Sequence, residues 1–191
     1  MLWPIFVLLA WEQVRIAPGD TAFTPLEFVS YPISHSLATA IGWATLFALL
    51  YYVFRRYVRG AVLVWIAVVS HWVLDFVSHR ADMPLYPNGP RLGLGLWNSI
   101  LTTVLVEASM FTVAIWIYVR VTRANDRIGK WGLWSFVLAV GLLYFANIFS
   151  PPPPGVKPMV IAAIVMSWLI VLWTWWLDRH RQVRTLSSKL Q

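Results

Sequence analysis

Three ionisable residues recur at four-residue steps in His71-Trp-Val-Leu-Asp75-Phe-Val-Ser-His79. On an α-helix each four-residue step turns about 40° beyond a full turn, so the three side chains form one slanting stripe. Two groups one turn apart can chelate a single ion, as paired ligands do on helical zinc motifs. Imidazole with carboxylate suits zinc or another divalent first-row metal better than calcium or magnesium. A further imidazole, His35, opens a separate apolar run in Ser34-His35-Ser36. The same residue types also fit a buried His–Asp hydrogen bond that fixes helix packing.

Around these stand the groups that could act on a substrate. Glu107 and Asp82 are the carboxylates able to take a proton from water. Arg80 and Arg91 could bind a phosphate or carboxylate, since a guanidinium holds such groups bidentately. Arg91 equally suits a lipid headgroup. Ser34 is expected to cap the helix that His35 opens, and Asn98 or Ser99 the helix that follows. His180, in a basic C-terminal stretch, reads as a headgroup contact.

The elements that must position these residues follow from composition. Of 191 residues, 59% are hydrophobic and only 12% charged, and mean hydropathy is +0.66. A soluble domain has roughly 25% charged residues, so this chain cannot surround itself with a solvated surface. The absence of cysteine excludes a disulfide scaffold. The net charge of +7 sits in short clusters between apolar runs rather than along a basic face, which argues against a nucleic-acid partner.

Crossing a bilayer takes about 20 apolar residues in a helix. Five stretches qualify, at residues 35–54, 61–79, 99–119, 131–149 and 159–177. The run at 1–11 is too short to cross alone and lacks the basic start and cleavage site of a signal peptide. It is expected to be re-entrant, or the end of a longer span. The fold class is therefore all-α, a polytopic transmembrane helix bundle forming a single integral membrane domain over residues 1–191. Histidine and acidic residues within such spans are costly, which makes His35, His71, Asp75 and Glu107 functional candidates by default.

Lysine and arginine set the expected orientation. Arg55, Arg56 and Arg59 follow the first full span, Arg120, Arg123, Arg127 and Lys130 the third, and Arg179, Arg181, Arg184 and Lys189 the last. Only Arg15, Arg80, Arg91 and Lys157 of the 15 basic residues fall on the other side. The basic side is cytoplasmic by the positive-inside rule, which puts the C-terminus in the cytoplasm and His35, His71, Asp75 and His79 toward the outer leaflet. Tryptophans at the span ends, among them Trp131, Trp134 and Trp175, suit the membrane interface.

At Ser34-His35-Ser36 and His71-x-x-x-Asp75 the sequence resembles the YdjM-like bacterial inner-membrane proteins, in which a His-Ser pair opens a membrane helix and a His-x-x-x-Asp motif follows. The resemblance implies a metal-dependent hydrolase in the bacterial inner membrane. The His-x-x-x-Asp spacing is also similar, more distantly, to zinc phospholipase C and related nucleases, which cleave phosphoesters. Many family members carry another histidine five residues before the His-Ser pair, where this chain has Ser30. They also begin with a helix bearing a histidine and an acidic residue, and this chain opens near where that helix would finish. Membrane lipid phosphatases fit less well, because Trp65 stands where they need arginine.

The leading expectation is a membrane-embedded hydrolase in which His35, His71, Asp75 and His79 hold zinc or a similar metal near the outer interface. The metal would bring the pKa of a water toward about 7. Glu107 or Asp82 would take the proton, and Arg91 and Arg80 would hold a phosphoester or ester lipid. Two other readings stay open: a non-catalytic subunit that docks against partner membrane subunits, and a proton or ion pathway through His71, Asp75 and Glu107.

Overall fold

The computed structural model describes residues 2–184. Lys189, counted above with the basic C-terminal cluster, lies outside the described residues. Among the described residues, five helices are long and apolar enough to cross a membrane: α3 (Leu37–Arg55), α4 (Val58–Ser78), α5 (Ile100–Val121), α6 (Arg127–Phe149) and α7 (Val156–Arg179). Two short helices precede them, α1 (Leu2–Leu8) and α2 (Pro32–His35). The expected spans are all present, with ends displaced by a few residues. The run at 1–11 becomes the seven-residue α1. The chain divides into two compact units, Met1–Thr103 with Pro152–Ile161, and Val104–Pro151 with Ala162–Gln191.

In the first unit α3 and α4 form an antiparallel hairpin. Arg56 turns it in the left-handed region, at φ 50°, with its N–H donated to Tyr52 O. Gly60 lies under the Tyr51 ring, where a Cβ would fall 2.5 Å from side-chain atoms, so any larger residue would have to displace that ring. Farther along, Trp65 Nε1 donates to Thr45 Oγ1 at 3.2 Å and ties the two helices together.

The end of the hairpin away from Arg56 carries structure the sequence did not announce. Strands β1 (Gln13–Ile16) and β2 (Leu26–Ser30) pair antiparallel, with Val14 opposite Phe28. These two inward residues join Tyr31, Ala40, Trp72 and Met83 in the buried core. Such short strands show too little alternation to be read from sequence. A second ribbon, β3 (Met83–Pro84) with β4 (Arg91–Leu92), follows α4. The chain after β4 satisfies the last turn of α4, because Leu94 N donates to Phe76 O and Gly95 N to His79 O. Gly93 makes this approach possible, since a Cβ there would lie 2.0 Å from Arg80 O.

The second unit is built on α6 with most of α5 and α7, and a ribbon of β5 (Thr122–Ala124) and β6 (Arg181–Val183). Asp126 starts α6 by accepting from Gly129 N at 2.7 Å. Its other oxygen meets His180 Nδ1 at 2.7 Å, which gives His180 a protein partner. Arg179 stacks 3.7 Å from the Trp175 ring centroid, and Lys130 lies over Trp131 at 5.0 Å.

Candidate metal centre

The last two turns of α4 place His71 and Asp75 on one face, as their i, i+4 spacing requires. His71 Nε2 stands 3.3 Å from Asp75 Oδ2. The antiparallel hairpin brings the start of α3 alongside, and His35 Nε2 reaches the same Oδ2 at 3.5 Å. One ligand atom from each residue lies within 4.8 Å of the others. Tetrahedral zinc with bonds near 2.0–2.2 Å separates its ligand atoms by about 3.3–3.6 Å. Both approaches to Asp75 fall in that range. Neither has hydrogen-bond geometry, so the buried Oδ2 is left without a donor. His35 and Asp75 are mostly covered, whereas the His71 side chain is 64% exposed and forms the open side.

His35 is held from behind. It ends α2, and Ser36 is extended (φ −79°, ψ 147°), which separates α2 from α3. The cap of α3 is Ser36, whose Oγ accepts from Thr39 N at 3.3 Å, and not Ser34 as the sequence suggested. Ser34 instead donates its hydroxyl to Glu12 Oε2 at 2.5 Å and meets His35 Nδ1 at 2.5 Å. Glu12 Oε1 accepts from the amides of Ile33 and Ser34, both at 2.8 Å. Tyr31 offers α2 no side-chain cap, and Glu12, arriving from another segment, does that work. Glu12 is 1% exposed. Burial, and then the positive field of His71, push the His35 imidazole down to about 3. His35 is therefore neutral, as a ligating imidazole must be.

A second cluster adjoins the first. His79 is the residue after α4, and its extended backbone (φ −69°, ψ 152°) takes it off the helical stripe. The structure places it with Asp82, Nδ1 to Oδ1 at 3.1 Å, rather than with the other two stripe residues. The Tyr31 hydroxyl donates to the same Oδ1 at 2.7 Å, and Arg80 Nε donates to Oδ2 at 3.3 Å. Burial works to raise the Asp82 carboxyl, but the bonds from His79 and Tyr31 outweigh it and hold it below the usual range. Burial and the Asp82 carboxylate push the Tyr31 phenol well above its ordinary value. The Tyr31 ring packs edge-on against His35, with centroids 5.3 Å apart, and so links the two clusters.

The remaining expected site residues are dispersed. Arg80 also pairs with Asp20, which leaves its guanidinium largely committed. Arg91 is exposed and donates to Val29 O at 3.3 Å. Glu107 belongs to the second unit, where it lies beside the Tyr144 hydroxyl. Ser99 caps α5 as expected, accepting from Thr102 N at 3.3 Å. Glu12 and Tyr31 were missed. A lone carboxylate just after an apolar run was the available signal for Glu12, and nothing in the sequence marked Tyr31.

A family profile described as YdjM inner membrane protein matches residues 24–152. That span contains the hairpin and all three residues of the centre. No curated protein and no solved structure matches the chain.

Proposed function

The chain belongs to the YdjM family of inner membrane proteins, and from that premise we propose that it is a membrane-embedded, metal-dependent hydrolase with His35, His71 and Asp75 as metal ligands. One observation carries this reading. A buried carboxylate oxygen without a donor faces two imidazole nitrogens at 3.3 and 3.5 Å. Leaving such an acceptor unmatched costs about 1–3 kcal/mol or more, and a cation among the three removes that cost. The donor set of two nitrogens and one oxygen is that of catalytic zinc sites, which keep a further position open.

Zinc or a similar ion bound there would supply a Lewis acid and bring a water toward a pKa of about 7. The protein's own part is to hold and orient. A bound cation would favour the carboxylate form of Asp75, His35 is kept neutral by burial, and His71 borders the opening. The carboxylate that would take a proton from such a water is Asp82. Asp82 shares a unit with the three ligands, but its oxygens already face His79, Tyr31 and Arg80. Exposed Arg91 is the guanidinium with more capacity left for an anionic headgroup. A centre at the end of a span faces the interface, so the substrate proposed is a phosphoester or ester lipid of the outer leaflet.

Metal analysis tests the reading directly. Detergent-purified protein, incubated with zinc and desalted, should retain about one ion per chain. Folded protein that retains neither zinc nor another first-row metal overturns it. The orientation has its own test, helped by the absence of cysteine. Arg56→Cys and Asn125→Cys should resist an impermeant thiol reagent in intact cells, while Asn88→Cys should react. The reverse pattern overturns the outer-leaflet placement.

A further inference from the structure

With Glu12 as a carboxylate, four hydrogen bonds decide where one proton sits. A carboxylate only accepts, and Glu12 Oε1 is taken by the amides of Ile33 and Ser34 at 2.8 Å each. Oε2, 2.5 Å from Ser34 Oγ, therefore receives the hydroxyl proton of Ser34. A serine hydroxyl has one proton, so toward His35 Nδ1, also at 2.5 Å, Ser34 Oγ can only accept. A neutral imidazole whose Nδ1 carries the proton has a bare Nε2 lone pair. That Nε2 is the atom facing Asp75 Oδ2.

We infer that Glu12 is a positioning residue: acting through Ser34, it locks His35 in the Nδ1-protonated tautomer and presents Nε2 unprotonated to the centre. Its use there rests on the cation reading above, while the tautomer itself does not. The chain Glu12–Ser34–His35 has the form of the outer hydrogen bonds that orient metal-bound histidines and fix their tautomer. Here a serine is interposed between carboxylate and ring. Glu12 is 1% exposed, so solvent does not compete for its oxygens. The arrangement also explains why a carboxylate is buried beside an apolar core: two of its bonds hold α2, and the third sets the ring.

Glu12→Gln should reverse the chain at nearly constant shape. The two amides retain the side-chain oxygen, so the new NH₂ group faces Ser34 Oγ and donates to it. The serine proton then turns to His35 Nδ1, and the ring proton moves to Nε2, where it blocks the ligand lone pair. The readout is the long-range proton–nitrogen spectrum of histidine-labelled, metal-free protein in detergent, assigned with His35→Asn. The parent should show Nδ1–H at His35, and Glu12→Gln should show Nε2–H. Cobalt titration of the same samples should show roughly 10- to 100-fold weaker binding in Glu12→Gln.

Should Glu12→Gln not fold, Ser34→Ala decides, because it keeps the carboxylate on both amides and removes only the link. Its His35 should lose the single tautomer and its cobalt affinity should fall, while Ser34→Thr should restore both. An Nε2–H signal in the parent overturns the inference, as does an unchanged tautomer in both Glu12→Gln and Ser34→Ala. A parent that shows Nδ1–H and switches in Glu12→Gln, yet binds no cobalt, upholds the positioning role and overturns the cation reading.

Discussion

Histidine meets aspartate in both units, and the two meetings differ in kind. In the second unit His180 Nδ1 lies 2.7 Å from Asp126 Oδ2, and the aspartate caps α6 with its other oxygen. Both partners are solvent-accessible, and the backbone N–H of Gly129 followed by His180 holds the Asp126 carboxyl below its usual range. That pair is complete in itself. In the first unit two imidazoles approach Asp75 at 3.3 and 3.5 Å, too poorly aligned to donate, and the oxygen they face is buried. The His79–Asp82 pair is intermediate, buried but supplied with donors. Residue type alone does not distinguish a structural pair from a candidate metal centre. What distinguishes them is whether the acceptor has its protons.

Three substitutions can break or sharpen this contrast. Asp75→Asn has the largest expected effect, because it keeps the shape of the side chain and removes the charge that draws a cation. Metal retained after desalting should fall at least about 10-fold, with the helical circular dichroism unchanged. A folded Asp75→Asn protein with full metal content would show that the unmatched oxygen has no bearing on binding. Asp82→Asn should act on stability instead, since it leaves Tyr31 and His79 buried beside a changed partner. A loss of about 1–3 kcal/mol, read by thermal denaturation in detergent, is expected, with metal retention close to that of the parent. If metal falls together with stability, the second cluster is part of the first. Asp126→Asn should do least, because an exposed amide oxygen still caps α6. A melting temperature lowered more than by Asp82→Asn would erase the distinction between exposed and buried pairs.

Much of the fold was legible because a bilayer imposes length and apolarity on every span, and both are written locally. The displaced ends have local causes too: α6 begins at Arg127 because Asp126 caps it, not at the first long apolar residue. The pairing of His71 with Asp75 was legible for the same reason, since one helix fixes both. His79 was read as the next step of that stripe, yet α4 ends at Ser78 and the stripe ends with it. The contact of Glu12 with Ser34 spans 22 residues and depends on a strand ribbon too short to show a period. Contacts made by irregular backbone between distant segments leave no spacing to read.

The α3–α4 hairpin also settles an entropic question. Joining His35 to Asp75 in a free chain would close a long loop, at a cost that grows with its logarithm. Here the two helices close that loop, and the Trp65–Thr45 bond holds them together regardless of any ion. An ion bound there would add to stability without being required for folding, unlike in a zinc finger, where the ion supplies the folding free energy. A chelator should empty the centre reversibly, leave both helices in place, and return a protein ready to refill.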